Sequence, residues 1–233
     1  KIARDGAEEG TIVVAEEQTG GRGRLTRSFY CPFAKGIWFT LILRPKFFPM
    51  EASKCTLMAA VGVCRGIRRL GLQDAGIKWP NDILYHGKKL VGILTEMSAS
   101  IEKIDYIIIG AGINTGMKKS EFPELFRESA TSFLAEGIDV SRKDLLAAIL
   151  AELEKEYEIA QTQGFDKVLE DWKALSITLG QDVRVIMGEE NYTGKAVDID
   201  KDGCLLVDTG EKVERVIAGD VSIRPIEAPL PKR

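Results

Sequence analysis

Gln18-Thr19-Gly20-Gly21-Arg22-Gly23-Arg24 follows a short β-branched run, Thr11-Ile12-Val13-Val14-Ala15, and leads toward a second apolar run from Ile37 to Leu43. Three of the four residues 20–23 are glycine, so the backbone can turn sharply and approach a ligand with no Cβ in the way. Arg22 and Arg24 are interleaved with them, and a guanidinium is a permanently charged fork matched to carboxylate or phosphate. Read this way, the loop wraps an anion. Read alone, the same residues also make a surface hairpin turn with solvated arginines, because short glycine–arginine motifs recur widely. The rest of the chain has to decide.

At 233 residues the chain is long enough to bury a sizeable core in one or two domains. Apolar residues make up 45% and charged residues 29%, the balance of an ordinary globular protein. The net charge of −3 provides no global field for nucleic acid, which argues against a dedicated DNA-binding domain within these residues. No apolar stretch has the length of a membrane span, and the first residues lack the apolar core of a signal peptide, so a cytoplasmic location is expected. Cys31, Cys55, Cys64 and Cys204 form no C-x-x-C pair and read as small buried side chains in a reducing compartment. His86 is the single histidine, which disfavours histidine-centred triads and multi-histidine metal sites. It reads as a turn residue beside Gly87.

Apolar runs and helical patterns alternate up to about residue 175. A helix is expected from about Glu51 to Leu70, with Pro49 ahead of it and Gly71 as its stop. Short strands are expected at Ile77–Trp79, Ile83–Tyr85 and Leu90–Glu96, and a fully apolar one at Ile104–Ile109, bounded by Gly110-Ala111-Gly112. A helix opens at Ser141-x-x-Asp144 and carries Leu145, Leu146, Ile149, Leu150, Leu153 and Tyr157 as a core-facing stripe. A last helix near Phe165–Leu175 carries Trp172. Beyond Ser176 the texture changes to five short alternating runs separated by glycine-containing turns, the pattern of a small β-barrel. The expected division is therefore 1–176 and 177–233.

Three further motifs carry chemistry. Lys78-Trp79-Pro80-Asn81-Asp82 reads as a β-turn, which accounts for Pro-Asn-Asp but not for the lysine and tryptophan before it. Lys88-Lys89-Leu90-Val91-Gly92 places a glycine within a strand, where a ligand or another backbone often comes close, and puts Lys89 within reach of an anion held there. A solvated hairpin explains the two lysines equally well. Gly110-Ala111-Gly112-Ile113-Asn114 follows the apolar strand; it is neither a dinucleotide fingerprint nor a P-loop. Arg22, Arg24, Lys78 and Lys89, on loops and strand ends of one sheet, suit a substrate with both a carboxylate and phosphates. Adenylation fits, since two mutually repelling anions must be held in line while charge on the transferring phosphoryl group is offset. No nucleophilic side chain is needed.

The order Gln-x-x-Gly-Arg-Gly-Arg, Lys-Trp-Pro-Asn-Asp, Gly-Lys-Lys-Leu-Val-Gly-Ile-Leu and Gly-Ala-Gly-Ile-Asn resembles the biotin protein ligases over nearly the whole chain. The resemblance implies an α+β fold: a mixed-sheet catalytic domain like that of class II synthetases, followed by an SH3-like β-barrel. It implies that biotin and ATP give biotinyl-5′-AMP and pyrophosphate, and that biotin then passes to a lysine of a biotin carboxyl carrier protein. Carried over by motif position, Gln18, Gly21 and Arg22 contact biotin, and Gly92 makes room for its rings. Lys89 sits at the reacting carboxylate and α-phosphate, with Lys78 near the phosphates. Arg24 holds the adenylate, Arg27 meets phosphate, Phe29 covers the adenine, and Asn81 and Asn114 line the nucleotide side. Asp82 positions Mg²⁺ or the incoming lysine. A lipoate ligase and a biotin-responsive transcription regulator are the competing readings. A homodimer is left open, since no interface is legible.

The chain departs from the family at Leu25-Thr26-Arg27-Ser28-Phe29, where the usual loop has a glycine at Thr26 and a tryptophan at Phe29. The Ser-Thr-Asn segment that the family places upstream has no counterpart here, so a further N-terminal stretch is expected.

Overall fold

The computed structural model describes residues 1–24, 27–187, 190–217 and 220–222; Leu25 and Thr26 of the glycine–arginine loop lie outside them, as does the tail from Ile223. Six strands form the first sheet: β1 (Ile12–Ala15), β2 (Gly36–Leu43), β3 (Gly76–Lys78), β4 (Asp82–Tyr85), β5 (Lys88–Ala99) and β6 (Ile104–Asn114), in the order β1-β2-β6-β5-β4-β3. Every pair of these strands is antiparallel. Parallel pairing among the described residues is confined to the bridges Ile77–Ser176 and Lys89–Ala130.

The period of two along β2 sorts its side chains. Ile37, Phe39, Leu41 and Leu43 join the main core, whereas Trp38, Thr40 and Ile42 point to the other face. Against the core face lie α1 (Cys55–Arg69), preceded by a 3₁₀ turn at Pro49–Lys54, α2 (Arg142–Gln163) and α3 (Asp166–Leu175). The Ser141 hydroxyl accepts from the Asp144 backbone N–H and caps α2. The expected stripe faces inward: Leu145, Ile149 and Leu153 are buried, and Leu146, Leu150 and Tyr157 pack against them. Helices α1 and α2 approach backbone to backbone, since a Cβ on Gly66 would stand 2.6 Å from Ile149 Cα. Arg65 on α1 bridges Glu156 of α2 and Asp171 of α3, tying the three helices together. Burial pushes the Glu156 carboxyl up against the pull of Arg65.

Strand β6 runs through Gly110-Ala111-Gly112 to Asn114, where the local sequence predicts an end at Ile109. Pairing decides the difference. Gly110 and Gly112 lie between β2 and β5 with a register partner on each side, and that flanking outweighs glycine's weak strand propensity.

The second sheet contains β7 (Asp182–Met187), β8 (Glu190–Ile199), β9 (Leu205–Asp208), β10 (Val213–Val216) and β11 (Asp220–Ser222), in the order β10-β9-β8-β7-β11. All five expected strands form. Among the described residues β10 and β11 are the two edges with no pairing between them, so the sheet is open where the sequence suggested a closed barrel. The four cysteines are buried and unpaired, and His86 lies in the β4–β5 turn with φ 47°. No helix among the described residues is long and apolar enough to cross a membrane.

Candidate active site

The helices cover one face of the first sheet, and the glycine–arginine loop folds over the other. Gln18 N–H donates to Cys31 C=O (3.1 Å) and Phe29 N–H to Gly21 C=O (2.9 Å), so the loop doubles back on itself. Cys31 Sγ lies 3.5 Å from Gln18 Oε1, and burial pushes this thiol up to about 11. The Arg24 guanidinium donates to Asn81 Oδ1 at 3.1 Å, which ties the loop to the Lys78–Asp82 turn. Asn81 is itself locked to β5, donating through Nδ2 to Ile93 C=O (2.6 Å) and accepting from Ile93 N–H (3.0 Å). Arg22 reaches Glu96 of β5 at 3.4 Å, an exposed pair of small energetic weight.

Beside this cluster, Lys89 Nζ stands 2.8 Å from Asp82 Oδ1. Asp82 pairs with Gly92 across β4–β5, and Gly92 pairs with Gly112 across β5–β6. These pairings bring three separate motifs to one patch of backbone. Phe29 lies directly on it: a Cβ on Gly92 would be 2.9 Å from Phe29 Cε2, and one on Gly112 would be 2.8 Å from Cε1. Lys89 Nζ is 5.6 Å from the centre of the Phe29 ring.

An open cavity of about 1120 Å³ continues from the loop toward the second sheet. Arg22, Gly23, Arg24 and Arg27 line one side, and Lys201, Asp202 and Arg215 the other. Trp79 is the joint between them. Its indole N–H donates to Gly203 C=O (3.0 Å) and its backbone N–H to Thr178 Oγ1 (2.9 Å). That contact explains the tryptophan that a plain β-turn left unexplained.

One expected residue stands apart from the cluster. Asn114 is buried and donates to Thr131 C=O (3.0 Å), so its amide braces the segment after β6. Lys78 ends β3 opposite Asp82 and is half-buried. Asp82, a candidate for Mg²⁺, is held by Lys89, and the described residues contain no group of three or more acids, histidines or cysteines that could hold a metal ion. Sequence reasoning overlooked Trp38, Glu96 and the bank at Lys201–Arg215. Gly112 was noted for close approach, but its pairing with Gly92 requires the register.

Residues 1–114 match the Biotin/lipoate A/B protein ligase family, and residues 178–224 match the Biotin protein ligase C terminal domain. The Bifunctional ligase/repressor BirA of Bacillus subtilis is 38% identical over 224 residues, covering 96% of this chain and 69% of the relative. The chain belongs to the biotin protein ligase family. The Biotin–[acetyl-CoA-carboxylase] ligase of Mycobacterium tuberculosis is 33% identical over 226 residues, 94% of this chain and 81% of that one. Among solved structures, the biotin protein ligase from Aquifex aeolicus in complex with biotin and ATP superposes with a TM-score of 0.82 at 29% identity, over 96% of this chain and 92% of that one. The ligase-family membership agrees with the α+β architecture and makes the chain an enzyme.

Proposed function

We propose that this ligase activates biotin with ATP to biotinyl-5′-AMP and pyrophosphate, then transfers biotin to a lysine of a biotin carboxyl carrier protein. The observation that carries the proposal is the convergence of Arg24–Asn81, Lys89–Asp82 and Gly92–Gly112 on one sheet face. In the first step a biotin carboxylate oxygen attacks the α-phosphorus, and the bond to the β-phosphate oxygen breaks with its electron pair leaving on pyrophosphate. Lys89, together with Arg22 from the loop, offsets the repulsion between the two anions. Gln18 and Gly21 shape the biotin side. Arg24, Arg27 and Lys78 serve the phosphates, and Asn81 and Asn114 order the nucleotide side. In the second step a lysine amine attacks the biotinyl carbonyl, AMP departs, and the amine gives up a proton. The catalytic unit spans 1–176, and 177–233 supplies the far bank of the cavity.

Biotin-dependent exchange of labelled pyrophosphate into ATP tests the reading. Exchange with biotin and not with lipoate is expected; exchange with neither acid overturns it, and exchange with lipoate alone reassigns the chain to lipoate. A second reading, a biotin-responsive regulator, draws on the name of the B. subtilis relative. A gel-shift assay with and without biotin addresses it separately.

A further inference from the structure

The patch formed by Gly92 and Gly112 is bare backbone on a sheet face otherwise carrying side chains, and Trp38, paired with Gly112 in β2, walls one flank. Lys89 stands at its edge, with Nζ 3.3 Å from where a Gly92 Cβ would lie. A floor of peptide planes, an indole wall and a cation at the rim suit a compact ring system tethered to a carboxylate. Phe29 already meets that description except for the acid. Its ring rests on both glycines, meets Trp38 edge-on at 6.0 Å between ring centres and 69° between planes, and faces the lysine. Ring carbons less than 3 Å from where a Cβ on either glycine would stand leave no layer for a second ring, which needs about 3.5 Å on each side.

We infer that Phe29 is a placeholder for the substrate's ring: it occupies the Gly92–Gly112–Trp38 floor and has to leave before the ring of the carboxylic acid can bind. This rests on the proposed ligase reading and moves Phe29 from the nucleotide side to the acid side. The residue is well placed for exchange. It sits on the doubled-back loop and is only half-buried, so its departure breaks no packing of the main core. Partial burial of one aromatic side chain is worth about a factor of ten in an equilibrium constant. The competent fraction is then about one-tenth, and the apparent association rate is lowered in proportion. The loop cations arrive on the same segment, so displacement of the ring and rearrangement of the arginines are one event.

The test is stopped-flow tryptophan fluorescence on mixing the full chain with biotin, comparing Phe29→Ala and Phe29→Leu with the unsubstituted protein. The slope of observed rate against biotin concentration is expected to rise about tenfold in Phe29→Ala, with Phe29→Leu between the two. An equal or lower slope in Phe29→Ala overturns the inference, and thermal melts establish that the variant is folded. Should it not fold, Phe29→Leu, which keeps an apolar side chain on the glycines, decides by the same criterion. If the unsubstituted protein shows no biotin-dependent pyrophosphate exchange, the ligase reading fails. If it exchanges normally and the slopes are equal, the placeholder alone fails.

Discussion

Replacing Lys89 by Met separates a lysine that acts on substrate from one that merely neutralises Asp82. The ammonium lies 2.8 Å from Asp82 Oδ1, with 36% of the lysine and 19% of the aspartate side chain exposed. An ion pair this accessible contributes about 1 kcal/mol or less to folding. For a chain of this size, its loss lowers Tm by about 2–4 °C at most. If Lys89 also stabilises the charge shared by carboxylate and α-phosphate, its removal costs about 2–4 kcal/mol in the transition state. At about 1.36 kcal/mol per decade, that is about a 30- to 900-fold drop in rate. The assay is pyrophosphate exchange at saturating biotin and ATP, alongside thermal unfolding. Asp82→Asn provides the comparison, because it removes the same ion pair yet leaves the cation; its expected loss is about fivefold or less. The double variant should recover part of the Lys89→Met defect, since it also removes a carboxylate left facing two anions. Exchange within threefold of normal for Lys89→Met refutes the reasoning. So do equal losses in the two single variants with no further loss in the double, which would reduce Lys89 to a partner of Asp82.

Arg24→Ala cuts the guanidinium–Asn81 contact that ties the loop to the turn; early release of biotinyl-AMP is expected, and unchanged retention of labelled adenylate through desalting counts against it. Gly66→Ala puts a Cβ 2.6 Å from Ile149 Cα, so despite alanine's better helix propensity we expect a loss of about 1–3 kcal/mol in urea unfolding. A neutral or stabilising result there means that α1 and α2 can separate at no cost. For Asp200, burial raises the carboxyl, but Arg215 and the N–H groups of Cys204 and Asp202 outweigh it and hold the group below the usual aspartate range. Its contribution is therefore present above the unfolded-state value near 4 and lost as pH falls through the lower folded-state value. Asp200→Asn should cost about 1–2 kcal/mol at pH 7, with the gap closing toward pH 3, as read by urea unfolding; a pH-independent gap rejects this.

Much of the molecule is legible from local pattern, and the residues show why. The Leu145–Tyr157 stripe repeats at helical spacing and lies buried as that spacing requires. The five runs after Ser176 alternate and break at turn residues, and each becomes a strand. The motif cations stand out in the sequence because few other side chains suit two anions at once. Local pattern misled at Gly110–Gly112, where two flanking strands hold glycine in a sheet. At Asn114 local pattern gave no sign that the amide also donates to Thr131 C=O and braces the segment after β6.

By itself, then, the order of residues determined the element types, the core-facing stripes and which side chains are suited to a carboxylate and phosphates, because each depends on neighbours a few positions away. Which of those side chains meet was decided by the tertiary structure. The β5–β6 register sets Gly92 against Gly112, Arg24 crosses to Asn81, and the Trp79 indole closes on Gly203. Such contacts join residues 20 to 124 positions apart, and only the packing of two sheets and three helices brings them within a few ångströms.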